Sequence, residues 1–588
     1  MVRFFFPLFF IFHLLSRACD TTQLFFSLQT STMGLGFNST VIPMPDTWSG
    51  YIIEAQRYLP SSASRVALLA FVNIPVIAIV LNILRQLVLP KDPSLPPEVF
   101  HIIPFIGSAP GYGNDPIAFL ESCRKKYGDV FTFVLFGRKM TVALGSAGNN
   151  FILGGKVAHL SAEDAYTHLT TPVFGKDVVY DCPNEKLMEQ KKFMKVGLSA
   201  DNMRAYVGMV ENEVSQFIRK DPSFRIFHMN DINEWGQFDT LKVTQEMTIL
   251  TAARTLQGKE VRENMDATFA QLFTDLDGGF TPLNFMFPNL PLESYRRRDR
   301  AQKKMADFYI DIIKARKEGT SKNDEPDMIS ALMGQTYRNG NQLPDHEIAH
   351  IMIALLMAGQ HTSSATAAWS LLHLADNPDV AEEVYQEQVK YFSNSDGTLR
   401  LPNYEELKSL PVLDSIIRET LRLHPPIHSI MRYVRADLIV PGTLSAPSKD
   451  SQYIVPKGHY VLASPATSQV DRTLWFKAEE WTPSRWTDPE GQAQQAFKQY
   501  ADENGEKVDY GFGAVSKGTE SPYQPFGAGR HRCIGEQFAY LQLGTLILTM
   551  VRNFEMRIPG GVPPPNYHTM ITLPKQPRMI TYRRRKFD

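Results

Sequence analysis

Residues 525–540, PFGAGRHRCIGEQFAY, place a single cysteine, Cys533, among glycines directly before a long apolar run. Gly527, Gly529 and Gly535 permit a tight turn and a close backbone approach. Residues 534–554 (IGEQFAYLQLGTLILTMVRNF) predict a helix whose first turn begins beside the sulfur. The positive end of that helix and inward-pointing amides favour a thiolate. A thiolate on a rigid loop can ligate a haem iron and push charge toward bound oxygen. The plainer alternative for a lone cysteine is a buried structural residue.

Two further groupings bear on chemistry. Glu419 and Arg422 lie three apart in a helical pattern that closes at His424-Pro425-Pro426, so they share a helix face. Taken alone, such a pair is an ordinary surface ion pair. Residues 345–376, bounded by Pro344 and by Asn377-Pro378, predict one helix roughly 48 Å long at about 1.5 Å per residue. Its apolar run IMIALLM gives way to Ala358-Gly359-Gln360-His361-Thr362-Ser363-Ser364. Small and hydroxylic residues in mid-helix invite a local bulge able to hold oxygen or water. A histidine on an otherwise apolar helix is commonly a satisfied core residue.

Phe526, Gly529, His531, Cys533 and Gly535 follow the pattern F-x-x-G-x-[R/H]-x-C-x-G, and on that motif the chain resembles the cytochrome P-450 superfamily. The resemblance implies a mainly α fold with smaller β-sheets (α+β), with haem b held by Cys533 as axial ligand of the iron and by the loop residues Phe526 and Gly529. Trp481-Thr482-Pro483-Ser484-Arg485-Trp486 resembles the superfamily's aromatic-x-P-x-R segment, which implies a buried structural triad of Glu419, Arg422 and Arg485. Loss of one member strands a buried charge. Residues 358–364 resemble its oxygen-binding segment, with His361 at the usual acidic position.

That departure resembles the G-Q-H-[T/S]-[S/A] version of the sterol 14α-demethylases of fungal type. Residues 162–193, 276–288 and 428–432 are similar to the same family's first substrate-recognition region, its F-helix with the following loop, and the strand beside the haem. The resemblance implies that Tyr166, Tyr180, Lys191, Arg432 and His531 hold the haem propionates, as phenols, cations and imidazoles can. Phe174, Phe280, Pro282, Phe285, Ala358 and Met570, with Tyr166 and Tyr180, would line the sterol cavity. Without the resemblance Phe174, Phe280, Pro282, Phe285 and Met570 read as ordinary core residues. Thr362 and His361 would deliver protons, with Asp277 pairing with His361 in a relay to the surface.

The activity so implied is removal of the 14α-methyl group of lanosterol- or eburicol-type sterols in ergosterol biosynthesis. It proceeds through three successive O2-dependent oxygenations, to alcohol, to aldehyde, and to C–C cleavage with release of formate and a 14,15 double bond. Electrons would come from NADPH through a separate NADPH-cytochrome reductase, since the chain carries no G-x-G-x-x-G fingerprint. The rivals are another monooxygenase of the superfamily acting on fatty acids or foreign compounds, a non-catalytic haem or sterol carrier, and a haem-thiolate isomerase needing no reductase.

Length and composition set the frame for these elements. The chain has 588 residues, 43% of them hydrophobic, and a formal net charge of −1, so no nucleic acid or other polyelectrolyte partner is implied. The 4 cysteines, Cys19, Cys123, Cys182 and Cys533, are scattered without C-x-x-C pairing, which argues against a disulfide framework, zinc or iron–sulfur; Cys123 and Cys182 read as free thiols. Arg3, the apolar residues 4–15 and the small residues before Cys19 suggest a signal peptide or short extension over 1–18. Residues 19–65 follow as a lumenal segment with an N-glycosylation sequon at Asn38. Residues 66–84 carry no formal charge, and a transmembrane helix is expected over 66–87, although Asn73, Pro75 and Asn82 leave a buried soluble helix as the alternative. Charge bias puts the C-terminal bulk on the cytosolic side, and the resemblance implies the endoplasmic reticulum membrane.

Pro90, Pro93, Pro96 and Pro97 stiffen a linker over 88–102. The catalytic domain is then 103–588. It opens with a helix over 116–127 and a hairpin of strands 130–137 and 139–145 joined at Gly137-Arg138, and becomes mostly helical after 185. Residues 488–520, hydrophilic and glycine-bearing, read as an exposed inserted loop.

Overall fold

The computed structural model describes residues 62–228, 234–320, 325–444, 452–501 and 519–585. The expected extension 1–18, Cys19, Asn38 and most of the segment assigned to the lumen lie outside these residues. Two compact units emerge, one reaching Pro90 and including His101–Pro104, the other comprising Lys91–Phe100 and everything from Phe105 onward.

The first unit is organised by the helix Ser62–Val88. Phe71, Ile74, Ile77, Leu81, Leu84, Leu87 and Val88 are exposed along it. Asn82 Nδ2 donates to the carbonyls of His101 (2.9 Å) and Ile102 (3.1 Å), and Gln86 Nε2 donates to that of His101 at 2.7 Å. A helix thus covers the residues where a membrane span was expected, with Asn73, Asn82 and Pro75 inside it. No helix among the described residues is long and apolar enough to cross a membrane.

In the second unit, the helix Pro116–Tyr127 forms where its signals lie: Asp115 Oδ1 accepts Ala118 N–H at 2.9 Å, Pro116 opens the first turn, and Arg124, Lys125 and Lys126 close the last. The hairpin pairs Val130–Leu135 with Arg138–Ala143, and Leu135 faces Arg138. Its turn is thus Phe136-Gly137, one residue earlier than Gly137-Arg138. A two-residue turn matched to strand twist needs positive φ at both central positions, and these are 48° and 75°. The hairpin belongs to a five-stranded sheet continued by Tyr460–Ala463, Ile430–Val434 and Leu160–Ser161. The Ile430–Val434 strand carries Arg432.

One helix, Asp345–Asp376, runs through the core, apolar on nearly all sides and contributing to the two largest apolar clusters. It stays α-helical through residues 358–364, so the expected bulge is absent. The hydroxyls that would have competed with the helix bond back to it instead: Thr362 to Ala358 O at 2.8 Å, Ser364 to His361 O at 3.0 Å, Thr366 to Thr362 O at 2.9 Å. The insert also departs from expectation. It includes a helix, Gln492–Ala501, whose Ala493 and Ala496 are buried in a cluster with Trp475, Trp486 and Tyr523, and whose Phe497 ring lies 3.5 Å from the Arg418 guanidinium.

Near the C-terminal end of the long helix four rings stack. His424 lies on Trp369 (3.8 Å, 4° between planes), His373 on Trp481 (4.9 Å, 6°), and the two imidazoles meet Nε2 to Nε2 at 2.8 Å. Burial lowers His373 to about 3 and holds His424 well below its ordinary value. Both imidazoles are thus neutral in the fold but titrate near 6.5 when unfolded. Their stabilisation is complete above pH 6.5 and is lost as pH falls from there toward the folded values. Between pH 7.5 and 5.5, His373 alone should lower the unfolding free energy by about 1.4 kcal/mol. Urea unfolding at the two pH values checks this, and equal stabilities would contradict it.

Candidate active site

Cys533 sits on a loop whose shape is fixed by glycine. Gly529 has φ +74°, and a Cβ there would come within 2.3 Å of the Leu153 carbonyl oxygen, so no side chain fits without backbone movement. Cys533 N–H donates to Phe526 O at 3.0 Å, and Gly535 N–H donates to the sulfur at 3.3 Å. The following helix is Glu536–Asn553, with Gly535 at its cap, so the sulfur does lie beside a helix N-terminus. Burial nevertheless pushes the thiol up; the Gly535 N–H, Lys191 and Arg532 pull it down without prevailing, and Glu536 adds to the rise. Of the free cysteines described, Cys123 and Cys182 are buried while Cys533 is accessible. Accessibility combined with strong desolvation is what an inward-facing cleft gives.

Cations gather near this sulfur. Lys191, on the helix Asn184–Gly197, donates from Nζ to the carbonyls of Arg530 and Arg532 at 3.0 Å each. Arg432 is buried, and its Nη1 donates to Met431 O at 2.7 Å. Tyr166 stacks on Tyr180 (5.3 Å), Tyr180 faces His531 (5.8 Å), and Tyr166 Oη accepts Met431 N–H at 2.8 Å. Burial, aided by Lys195 and Arg432, brings Lys191 down to about 8, and His531 is held well below its usual range by burial and by Arg432, Lys191 and Arg530. Among the described residues neither Lys191 nor Arg432 has a carboxylate at ion-pair distance. A buried guanidinium such as that of Arg432 requires an anionic partner. An accessible cysteine, phenols and two cations without a carboxylate partner, Arg432 buried and Lys191 half-buried, form a donor set that fits a haem with its two carboxylate arms.

Behind the loop, the predicted triad is assembled. Arg422 donates from Nε to Glu419 Oε2 and from Nη2 to Oε1, each at 2.9 Å, and Arg485 donates from Nε to Oε1 at 2.9 Å. Glu419 and Arg422 are fully buried. Two donors were not foreseen from the sequence: Trp486 Nε1–H to Oε2 and Thr482 N–H to Oε1, both at 2.9 Å. The only available signal was that both residues flank Arg485 in the same short segment.

His361 Nε2 lies 3.0 Å from Asp277 Oδ1 at the end of the helix Ala267–Asp277, although the approach is not aligned as a hydrogen bond. The imidazole also stacks on Phe273 at 5.7 Å, a partner the sequence reading missed. Asp277 is half exposed and His361 mostly covered. Phe174 stacks on Phe280 (5.7 Å), while Phe285 packs on His168 (5.0 Å), Tyr166 (6.4 Å) and the Arg138 guanidinium (4.8 Å). Ala358 is exposed between the buried residues Met357 and Gln360 and the half-buried Gly359, Pro282 is exposed where Pro282–Met286 begins, and Met570 is half-buried in an irregular segment.

A family model described as Cytochrome P450 matches residues 97–582. The chain is 52% identical over 528 residues to a lanosterol 14-alpha demethylase of Mycosarcoma maydis, covering 88% of this chain and 93% of that protein. It is 49% identical over 495 residues to the lanosterol 14-alpha demethylase of Schizosaccharomyces pombe (84% and 94% covered), and 48% identical over 517 residues to an eburicol 14-alpha-demethylase of Uncinula necator (87% and 94%). A retinoic-acid-bound cyanobacterial CYP120A1 shares the fold with a TM-score of 0.66 at 20% identity, over 84% of this chain and all of that one. The chain belongs to the cytochrome P450 family and, within it, to the sterol 14-alpha demethylases.

Proposed function

We propose that this protein removes the 14α-methyl group of lanosterol- or eburicol-type sterols, using O2 and electrons that NADPH supplies through a separate reductase. The carrying observation is the 48–52% identity, over most of both chains, to proteins named for that reaction; the accessible Cys533 on its glycine-shaped loop supports it. When bound, a thiolate-ligated haem activates O2 for insertion of one oxygen atom into a C–H bond. Cys533 would hold the haem iron, and Lys191, Arg432, Tyr166, Tyr180 and His531 would hold the haem carboxylates.

Phe174, Phe280 and Phe285, with Pro282, Ala358 and Met570, orient a large apolar sterol and exclude water around it. Three oxygenations of the one methyl carbon then release it as formate. Asp277, open to solvent, passes protons to His361, and Thr362 hands them on from a hydroxyl already held against Ala358 O. Reconstitution with a reductase, NADPH and either sterol, with formate measured, tests the reaction. A thiolate-type carbon monoxide spectrum without formate would keep the family and discard the substrate.

His361→Ala should slow turnover roughly 100-fold and divert reducing equivalents to peroxide, since loss of a positioned proton donor typically costs about 10²–10⁴ in rate. Asp277→Asn should fall in between. Unchanged turnover and coupling in His361→Ala would remove the relay. Membrane attachment at the endoplasmic reticulum, with the catalytic domain on the cytosolic side, belongs to the same proposal. It is supported by the exposed apolar side chains of Ser62–Val88 and by the absence of formal charge over 66–84.

A further inference from the structure

One buried amide joins the triad to the cysteine loop. Gln469 closes the short helix Pro465–Gln469 and is fully buried. Its backbone carbonyl accepts Arg422 Nη1–H at 2.8 Å. Its carboxamide nitrogen donates to the carbonyls of Leu421 (2.9 Å) and Arg422 (3.0 Å), in the last turn of Pro411–Leu423, where helical carbonyls have no partner of their own. Its carboxamide oxygen accepts Gln524 N–H at 2.9 Å.

From Gln524 the chain of contacts continues into the loop. The Gln524 carbonyl accepts Gly527 N–H at 3.0 Å, and the Phe526 carbonyl accepts Cys533 N–H at 3.0 Å. A connected path thus runs from Glu419 through Arg422, Gln469 and Gln524 to the backbone that carries the sulfur. Both N–H groups and the oxygen of the Gln469 carboxamide are engaged. A residue serving only to cap the triad helix would need the two donations to Leu421 and Arg422. The acceptance from Gln524 is the bond a cap has no use for, and it reaches the cysteine loop.

We propose that Gln469 is a positioning residue for Cys533, tying the entry of the cysteine loop to the triad helix and so fixing how the sulfur is presented to the haem iron. The inference rests on the haem-thiolate reading of Cys533. Methionine matches glutamine in length but offers neither strong donor nor strong acceptor, so Gln469→Met removes all three side-chain bonds with little change in volume. Gln469→Asn keeps the amide but shortens its reach by one methylene.

The control is Gln257→Met. Gln257 is equally buried and bonds to Tyr309 Oη (2.8 Å) and Met352 O (3.4 Å), outside this path. The full-length variants are compared at equal haem content for the share of the ferrous carbon monoxide complex in the thiolate-ligated band against the neutral-thiol band, together with the thermal unfolding midpoint. Gln469→Met should raise the neutral-thiol share several-fold, Gln469→Asn should raise it less, and Gln257→Met should lower the midpoint while leaving the share unchanged. Wild-type proportions in both Gln469 variants, or an equal shift in Gln257→Met, would overturn the inference. If Gln469→Met retains no haem, an unchanged share in Gln469→Asn overturns it alone. A wild-type protein without a thiolate band would instead refute the reading of Cys533 itself.

Discussion

Glu419→Gln should yield a protein that fails to accumulate with haem. The Glu419 carboxylate collects five donors: Nε and Nη2 of Arg422, Nε of Arg485, Nε1 of Trp486 and the Thr482 amide, each at 2.9 Å. A carboxamide of the same size presents an NH2 group toward donors that need an acceptor, and it neutralises the one negative charge facing two guanidinium groups. Arg422 has no exposed surface through which to recover solvation. Breaking a buried ion pair from one side costs about 3–5 kcal/mol, a large part of a domain's net stability. The loss falls on Pro411–Leu423 and on the 476–486 segment, whose carbonyls at Phe476, Ala478 and Glu480 also take their donors from Arg485 and Arg422. Expression of Glu419→Gln and Arg485→Ala, with the haem-to-protein ratio measured, checks the prediction. Near-wild-type haem content in either variant would show that the triad is not needed to hold the site. The exposed pair Arg472–Glu479, with side chains 77% and 69% accessible, provides the contrast: Glu479→Gln should leave haem content unchanged.

What the sequence disclosed here follows from how local each feature is. The cysteine turn, the Glu419–Arg422 pair and the long helix Asp345–Asp376 rest on spacings of one to four residues, and those spacings dictate geometry directly. The hairpin was legible as a hairpin, but its break moved to Phe136-Gly137 because the turn is chosen by backbone φ, which a phenylalanine does not advertise. The helix Gln492–Ala501 was hidden for a different reason. Its apolar contribution is two alanines and one phenylalanine, too little to register in composition, and its docking depends on Trp475, Trp486 and Tyr523 from other segments.

Electrostatics were the least legible. A helix N-terminus beside Cys533 argued for a stabilised thiolate, while burial, a property of the whole fold, pushes the thiol in the opposite direction. The same holds for Lys191 and Arg432, whose importance lies in the carboxylates that are not near them. Only the packed fold reveals such an imbalance. The aromatic contacts divide likewise: Phe174 stacks on Phe280 and Tyr166 on Tyr180, each pair drawn from residues the resemblance assigns to one site, whereas the contacts of Phe273 with His361 and of Trp486 with Glu419 were named by no motif and come from the packing of separate segments.

Cys533→Ser should keep the fold and lose the chemistry. The loop is shaped by backbone features that serine leaves alone: Gly529 against the Leu153 carbonyl, Cys533 N–H to Phe526 O, and Gly535 at the cap of Glu536–Asn553. Exchange of one sulfur for one oxygen at an accessible position should therefore change stability by no more than about 1 kcal/mol. A serine hydroxyl, however, stays protonated where a thiol can lose its proton to a metal, so the electron-rich ligand on which oxygen activation depends is gone. Formate release should drop by at least about a thousand-fold, equivalent to roughly 4 kcal/mol of activation free energy. Haem that does bind, held by Lys191, Arg432 and the tyrosines, should show no thiolate band with carbon monoxide. Near-normal formate production, or a persisting thiolate band, would move the ligand elsewhere. The other thiols described are poor substitutes: Cys123 and Cys182 are buried, both are pushed up by burial, and Cys182 reaches about 12. A protein that kept its activity without Cys533 would thus contradict the site as a whole, because no second thiol among the described residues combines access with an adjoining helix N-terminus.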